Sequence, residues 1–338
     1  GVSVEADIIG VNPANFGTGN VLVDIGNNAT IESGGVGILA TKAFGAGGVT
    51  INVETGARVE GDVSGVVILA GTPGATDNAA VLNNDGTIQG NGFLSPVIFA
   101  LTDGGVTINN TANGVIRGEE TEAGTLIGTT GDPLGAFEPA IVTAGGGALV
   151  NNDGEIHGSV AFLSGEDNAF NNTGLWNTGG LNFLGFGGND AVNNTGTVRT
   201  HLLTVFAGLE DFNNEGGLLT AQDGVINDVT VTTGNFNGRD LADPLAADSV
   251  LAFDATLTPG GVADLLVVGG NVTGATLIDV NDLDGGPGLF TGNDDAILFA
   301  LVDGNTDTTN FYTNGGIDKG LFRYDAYLRD VPLGDPDF

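Results

Sequence analysis

The sequence has no cysteine and no methionine among its 338 residues, and only 8 lysines and arginines against 42 acids. Without cysteine there is no disulfide scaffold, no thiolate metal site and no cysteine nucleophile. The same absence suits a chain exported unfolded, because a disulfide formed on the way would hinder threading through a pore. The lack of methionine, position 1 included, reads as a processed or trimmed piece with any signal peptide upstream. Prolines number 10, which excludes collagen and proline-rich linkers. No run of about 18 apolar residues occurs, so nothing reads as a membrane-spanning helix. A formal net charge of −34 repels phosphate backbones and anionic headgroups, which argues against nucleic-acid and membrane-surface partners.

What is present is glycine and apolar residues. Glycine accounts for 60 residues, well over twice the usual share of ~7%. Hydrophobic residues make up 41% and the mean hydropathy is +0.18, so the chain does not carry the signature of disorder despite its charge. Abundant glycine in an apolar chain implies many repeated tight turns.

A repeat carries those turns. Five segments share the form apolar-Asn-Asn-x-Gly-x-apolar: Leu82 to Ile88, Val150 to Ile156, Phe170 to Trp176, Val192 to Val198 and Phe212 to Leu218. A sixth, Ile108 to Ile116, has the same ends with two extra residues. Ile25-Gly26-Asn27-Asn28 and the Ile51 to Gly56 segment are weaker echoes. The shortest spacing, about twenty residues, suits one coil of a β-solenoid, and longer spacings read as coils with inserted loops. The apolar residues flanking each Asn-Asn-x-Gly corner are predicted to point inward and stack. Asn and Gly are expected to supply the left-handed backbone of the corner, with the Asn side chains hydrogen-bonding along the axis. Read alone, Asn-Asn-Thr at 109–111, 171–173 and 193–195 is a glycosylation acceptor; its fixed place in the coil favours the corner role. No amphipathic helical stretch interrupts the pattern. The expectation is an all-β fold, a right-handed parallel β-helix of roughly eleven coils with inserted loops and a C-terminal cap, about 50 Å long.

From about residue 245 the pattern changes. Asp264-Leu265-Leu266-Val267-Val268-Gly269 leads to a Gly274-Ala275-Thr276-Leu277 strand, a Thr291-Gly292 turn, an apolar strand ending at Val302-Asp303-Gly304, and Tyr324-Asp325-Ala326-Tyr327-Leu328. This order resembles the autochaperone region that ends pertactin-like passengers of bacterial autotransporters. The resemblance implies a chain divided into coils over 1–244, a cap and autochaperone-like region over 245–329, and from 330 to 338 the start of a linker towards a barrel. It implies export through the periplasm and across the outer membrane by the chain's own C-terminal β-barrel, with the outer-membrane assembly machinery as partner. It also implies a place at the cell surface or in the medium. The plainer reading of the residues themselves is a C-terminal cap on any solenoid, since an uncapped end exposes strand edges and core, and the two readings are compatible.

Candidate chemistry is sparse. The two histidines and seven serines include no Gly-x-Ser-x-Gly elbow. His157 and Ser159 are expected side by side on one strand, with no third partner evident. Gly185-Phe186-Gly187-Gly188-Asn189-Asp190 partly resembles a calcium-binding nonapeptide, and related turns recur at Gly165-Glu166-Asp167 and Gly208-Leu209-Glu210-Asp211. Asp167, Asp190 and Asp211 are thus the candidate calcium ligands, although such sites need tandem repeats nine residues apart; simple turn acids are the competing reading. No other cofactor is suggested.

One outward column gathers basic groups: Gln89, Arg117, His157, Asn177, Arg199 and Leu219 are expected in line, with His201 beside Arg199. Arg117, His157, Arg199 and His201 could form a shallow groove for an acidic glycan or a partner's carboxylates, or a solvated column that offsets nearby acids. An adhesin or interaction module needs only a stable rod and exposed loops, the inserted segments 70–80, 91–104 and 118–140 among them. A polysaccharide-cleaving β-helix enzyme and a purely structural stalk are the alternatives.

Overall fold

The computed structural model describes residues 3–5, 10–11, 19–42, 47–71, 79–92, 95–118, 139–242, 247–290 and 296–329. Among these residues regular structure is strand alone, with no helix. Short runs of Val, Ile, Thr and Phe alternate with Gly and Asn turns, which favours the pleated backbone and interrupts it at fixed intervals. The chain enters three parallel sheets in rotation. The first sheet has ten strands and carries the Asn-Asn pairs, the second has twelve, and the third has eleven. Each complete coil uses one strand from each, beginning with Val21–Ile25, Thr30–Ser33 and Val36–Lys42. The last complete coil uses Val272–Thr273, Thr276–Asp282 and Ala300–Val302. This is the expected right-handed parallel β-helix.

The apolar residues that flank the corners point inward as predicted, except that Leu219 takes the inward place expected of Leu218. Leu82, Ile108, Val150, Phe170, Val192, Phe212 and Phe236 are paired in register from coil to coil and are all buried. Ile88, Ile116, Ile156, Trp176, Val198, Leu219 and Leu251 form the matching column on the second sheet. Aromatic rings fill the middle of the rod: Phe170 and Trp176 have centroids 4.3 Å apart, and Phe206 meets Phe212 at 5.2 Å. The Trp176 indole N–H, buried with its ring, donates to the Gly158 carbonyl at 3.1 Å.

Five of the corners work differently from the expectation. Gly56 and Gly216 are left-handed as expected, at φ 73° and 78°, but Gly86, Gly114, Gly154, Gly174 and Gly196 are not; among the described residues the non-glycine positions with positive φ are Asn28, Leu202 and Asn227. Glycine is required there because coils stack closely. A Cβ at Gly174 would strike the Gly154 carbonyl oxygen, and one at Gly196 would strike that of Gly174. The N-terminal echo is also displaced. Asn28 sits in a turn, while Asp24, three residues before Asn27, pairs with Asn52 and so begins the corner column.

The asparagine ladders are present and double. The first Asn of each pair passes its side-chain N–H to the coil before it, from Asn52 onto Asp24 and onward through Asn83, Asn109, Asn151, Asn171, Asn193, Asn213 and Asn237. Asn109, Asn171 and Asn193, the first asparagines of the three Asn-Asn-Thr triplets, are rungs of this ladder.

Parallel order holds on both sides of the gap in the described residues at 243–246, where Ser249–Ala255 pairs with Leu218–Thr220 and with Thr276–Asp282. It ends after Phe311–Tyr312, beyond which Ile317–Lys319 and Phe322–Tyr324 form an antiparallel hairpin. Of the inserted segments, Ile98–Thr102 is a strand of the third sheet rather than loop. Residues 72–78 and 119–138, which hold most of the other two, lie outside the described residues, as does the linker at 330–338.

Candidate interaction stripe

The second sheet brings the expected column together. Gln89, Arg117, His157, Asn177 and Arg199 are paired in successive strands. The sixth member is Thr220, not Leu219, because Gly216-Gly217 places one more residue in that corner; Leu219 is 2% exposed and belongs to the core. Upstream the column continues into Glu60.

Its polar groups are tied to one another. Arg58 pairs with Glu60 at 2.6 Å and reaches Gln89 Oε1 at 3.3 Å, while Asn91 donates to Glu60 at 2.8 Å. Burial works to raise the Glu60 pKa, but the hydrogen bonds from Asn91 and Arg58 and the charges of Arg58 and Arg117 hold it below the usual range. A second set runs from Glu155 to Asp223. His157 Nε2 lies 3.0 Å from Glu155 and its Nδ1 3.4 Å from the Asn177 amide. Asn177 Oδ1 lies 2.7 Å from His201 Nε2, and His201 Nδ1 lies 3.4 Å from Asp223. Burial lowers the His201 pKa, against the opposing pull of Asp223. Arg199 is the exposed member of the stripe.

Ser159 does not share the strand of His157. Gly158, at φ 121°, turns the chain between them, and Ser159 begins a strand of the third sheet at 7% exposure. The dyad reading therefore fails on geometry.

Behind Asp223 lies a carboxylate group that composition does not reveal. Asp264 accepts the backbone N–H groups of Asp228 at 3.0 Å and Asp254 at 2.8 Å. Asp254 accepts those of Asp223 at 2.8 Å and Gly224 at 2.6 Å. Asp228 Oδ2 is buried without a partner. Burial, then the charges of Asp223 and Asp264, push the Asp228 pKa up to about 7. Burial likewise pushes Asp264 to about 6. These acids hold corner amides inside the wall and are not placed to meet a polysaccharide. A trace of them is legible: Asp228-Val229 and Asp264-Leu265 occupy the same place in successive coils.

The calcium candidates are only partly assembled. Asp167 accepts the Asn189 N–H at 2.8 Å, and Asp190 accepts the Asn168 backbone and side-chain N–H groups at 2.9 and 2.8 Å. Asp211 turns away into the amide ladder, accepting from Asn235 and Asn237 at 3.0 and 3.1 Å. Glu210 takes the place expected of it, accepting the Asp190 N–H at 2.6 Å. Among the described residues no group of three or more His, Asp or Glu side chains is arranged to hold a metal ion.

No protein-family model and no solved structure matches the chain. A curated protein does: the probable autotransporter YfaL of Escherichia coli (strain K12), 28% identical over 266 residues. The likeness is to an autotransporter. It extends over 68% of this chain but 20% of that protein, so the chain spans about a fifth of the autotransporter's length. The resemblance to autotransporters drawn from the sequence thus has an independent counterpart, and the stacked parallel coils accord with a passenger domain.

Proposed function

We propose that this chain is part of an autotransporter passenger that stands at the bacterial surface, or is released from it, as an adhesion or interaction module. The observation that carries the reading is the likeness to an autotransporter over 266 residues, joined to a β-helix of three stacked parallel sheets. A rod of stacked coils has each repeat supported by its neighbours, and it holds exposed side chains at a fixed spacing away from the cell. Export would run through the chain's own C-terminal barrel. Expression of the whole open reading frame in a bacterium, followed by labelling of intact cells with an antibody against the coils, tests this. Label that persists after deletion of the barrel-coding segment refutes the route.

The stripe is the contact surface we assign within that role. Arg117 and Arg199 flank His157 in one column, with His201 beside them, on a chain otherwise acidic. Opposite charge and the bidentate geometry of arginine suit a carboxylated or sulfated glycan, or a partner's acidic side chains. The test is binding of the Arg117→Ala, Arg199→Ala double variant to an acidic glycan array and to host cells. Binding equal to the wild type's removes the stripe from the account.

A further inference from the structure

The third sheet has an outer face unlike the other two. On the first sheet, outward positions carry the Asn column, and on the second they carry Glu, Arg and His. On the third, Lys42 is the one ionisable residue in the described strands, and it is turned inward at 2% exposure. Among the outward positions of those strands, Thr41 is the one polar side chain; the others are Val, Leu, Phe and Ala. Leu101, Leu163 and Leu203 are exposed at 44, 40 and 51%, and Leu181 and Leu301 belong with them. The inside of this sheet is the more polar side, with Thr102, Thr143, Asn182, Thr204 and Thr230 buried there.

A parallel strand that reads as a continuous apolar run is one buried on both faces, whereas a face left to water alternates apolar with polar. Here the inner face is covered by the core, while among the described residues the outer face carries one ring contact, Phe186 tilted against Phe183 at 4.5 Å, and Leu101, Leu163, Leu181 and Leu203 stay exposed. The sheet is eleven strands deep. At the usual strand spacing its outer face is about 50 Å long, and two outward residues per strand make it about 13 Å wide. That is roughly 650 Å², beyond the few hundred Å² a monomer ordinarily exposes and near the ~800 Å² per partner of a standard interface.

We infer that this face is the self-association surface of the chain: two copies pack third sheet against third sheet. The charge distribution selects a second copy over a membrane. The net charge of −34 repels anionic lipid, and the face offers no basic residue to reach a headgroup. A glycan is disfavoured because the exposed side chains are chiefly aliphatic and lack hydrogen-bonding groups. An apolar, charge-free strip lets two acidic rods meet where neither carries charge, and an aligned sheet-on-sheet contact has the required flatness.

Sedimentation velocity across protein and salt concentration tests the inference, together with three variants of the whole chain. The wild type is expected to form a dimer whose fraction grows with concentration and with added sodium chloride, since salt screens the mutual repulsion and leaves apolar contact intact. The Leu101→Lys, Leu163→Lys double variant is expected to remain monomeric with an unchanged circular dichroism spectrum. Because the chain has no cysteine, Leu163→Cys should cross-link between copies on oxidation, while Asn109→Cys on the first sheet should not. A wild type that stays monomeric at its highest soluble concentration in high salt overturns the inference. So does a dimer that the double variant leaves intact, or equal cross-linking at both positions. Binding to phosphatidylcholine vesicles by a chain that remains monomeric would assign the face to lipid instead.

Discussion

Asn171 and Asn172 are adjacent, yet their side chains pass hydrogen bonds in opposite directions along the rod. The Asn171 amide donates to Asn151 in the coil before it, at 2.9 Å, and the Asn172 amide donates to Asn194 in the coil after it, at 2.8 Å. The same opposition holds along both ladders. The inner one runs from Asn84 through Asn110, Asn152, Asn172 and Asn194 to Asn214 and ends on Ser249. Two rows of side-chain dipoles thus lie antiparallel, and neighbouring rows stabilise one another.

The two rows should differ in what they contribute. Asn172 is fully buried and its amide also donates to the Thr197 carbonyl at 3.1 Å, so truncation strands acceptors away from water. Asn172→Ala is expected to cost about 1–3 kcal/mol. Asn171 is half-buried, water can replace its bonds, and Asn171→Ala is expected to cost less than about 1 kcal/mol. Urea unfolding of the two variants checks the order; equal losses would show that the inner row has no special standing.

Corner glycines make a second comparison. A Cβ at Gly174 meets the backbone of the preceding coil, whereas one at Gly165 meets nothing within 4 Å. Gly174→Ala forces coils apart and is expected to cost about 1–3 kcal/mol, as overpacking does. Gly165→Ala should be neutral or slightly stabilising through the unfolded chain. Thermal melts of the pair decide between close stacking and backbone conformation as the reason for corner glycine.

The coil was legible in the sequence because it repeats in one dimension. Leu82 and Ile88 fix the inward positions, and each later copy confirms the same side. The single misplacement in the column, Leu219 for Thr220, came from one added glycine, since a shift of one residue exchanges inside and outside in a strand. Residues whose partners lie a whole coil away were not legible. Asp228 and Asp264 leave only the trace of an Asp before an apolar strand in successive coils, and their meaning depends on stacking at a corner. The apolar outer face of the third sheet was hidden for a related reason: Val66-Val67-Ile68-Leu69 reads as core whichever side faces water.

The carboxylates at that corner give the stability an unusual dependence on pH. An unfolded Asp titrates near ~3.9, but Asp228 in the fold titrates at about 7 and Asp264 at about 6. Between those values the folded chain holds protons that the unfolded chain has released, so their contribution is whole below about pH 4 and is lost as pH rises through 6 and 7. Acids of the opposite kind, such as Asp85 held low by Thr111, Thr55 and Asn113, lose their contribution only on further acidification. The melting temperature should therefore rise from pH 7.5 to pH 5 and fall again below about pH 4. Asp228→Asn should flatten the upper limb and raise stability at neutral pH. An unchanged limb in that variant would place the effect on the overall charge instead.

The last expectation concerns the end of the rod, where the parallel ladder gives way to the hairpin. Lys319 is almost buried there, 2.6 Å from Asp282 and 3.2 Å from Asp284, with the Leu257 carbonyl at 3.4 Å. Burial alone would lower its pKa, yet the bonds and charges of the two acids raise it above the usual lysine value. Its charge is what allows Asp282 and Asp284 to share one corner. Lys319→Met keeps the aliphatic stem and leaves the two acids facing each other. Because both acids are partly exposed, water offsets some of the loss, and about 1–3 kcal/mol is expected. Coils contact only their neighbours, so the damage should stay local. Hydrogen exchange should quicken over 276–324 and remain unchanged around Phe170 and Trp176. Uniform quickening along the rod would mean instead that the coils unfold as one cooperative unit from the hairpin inward.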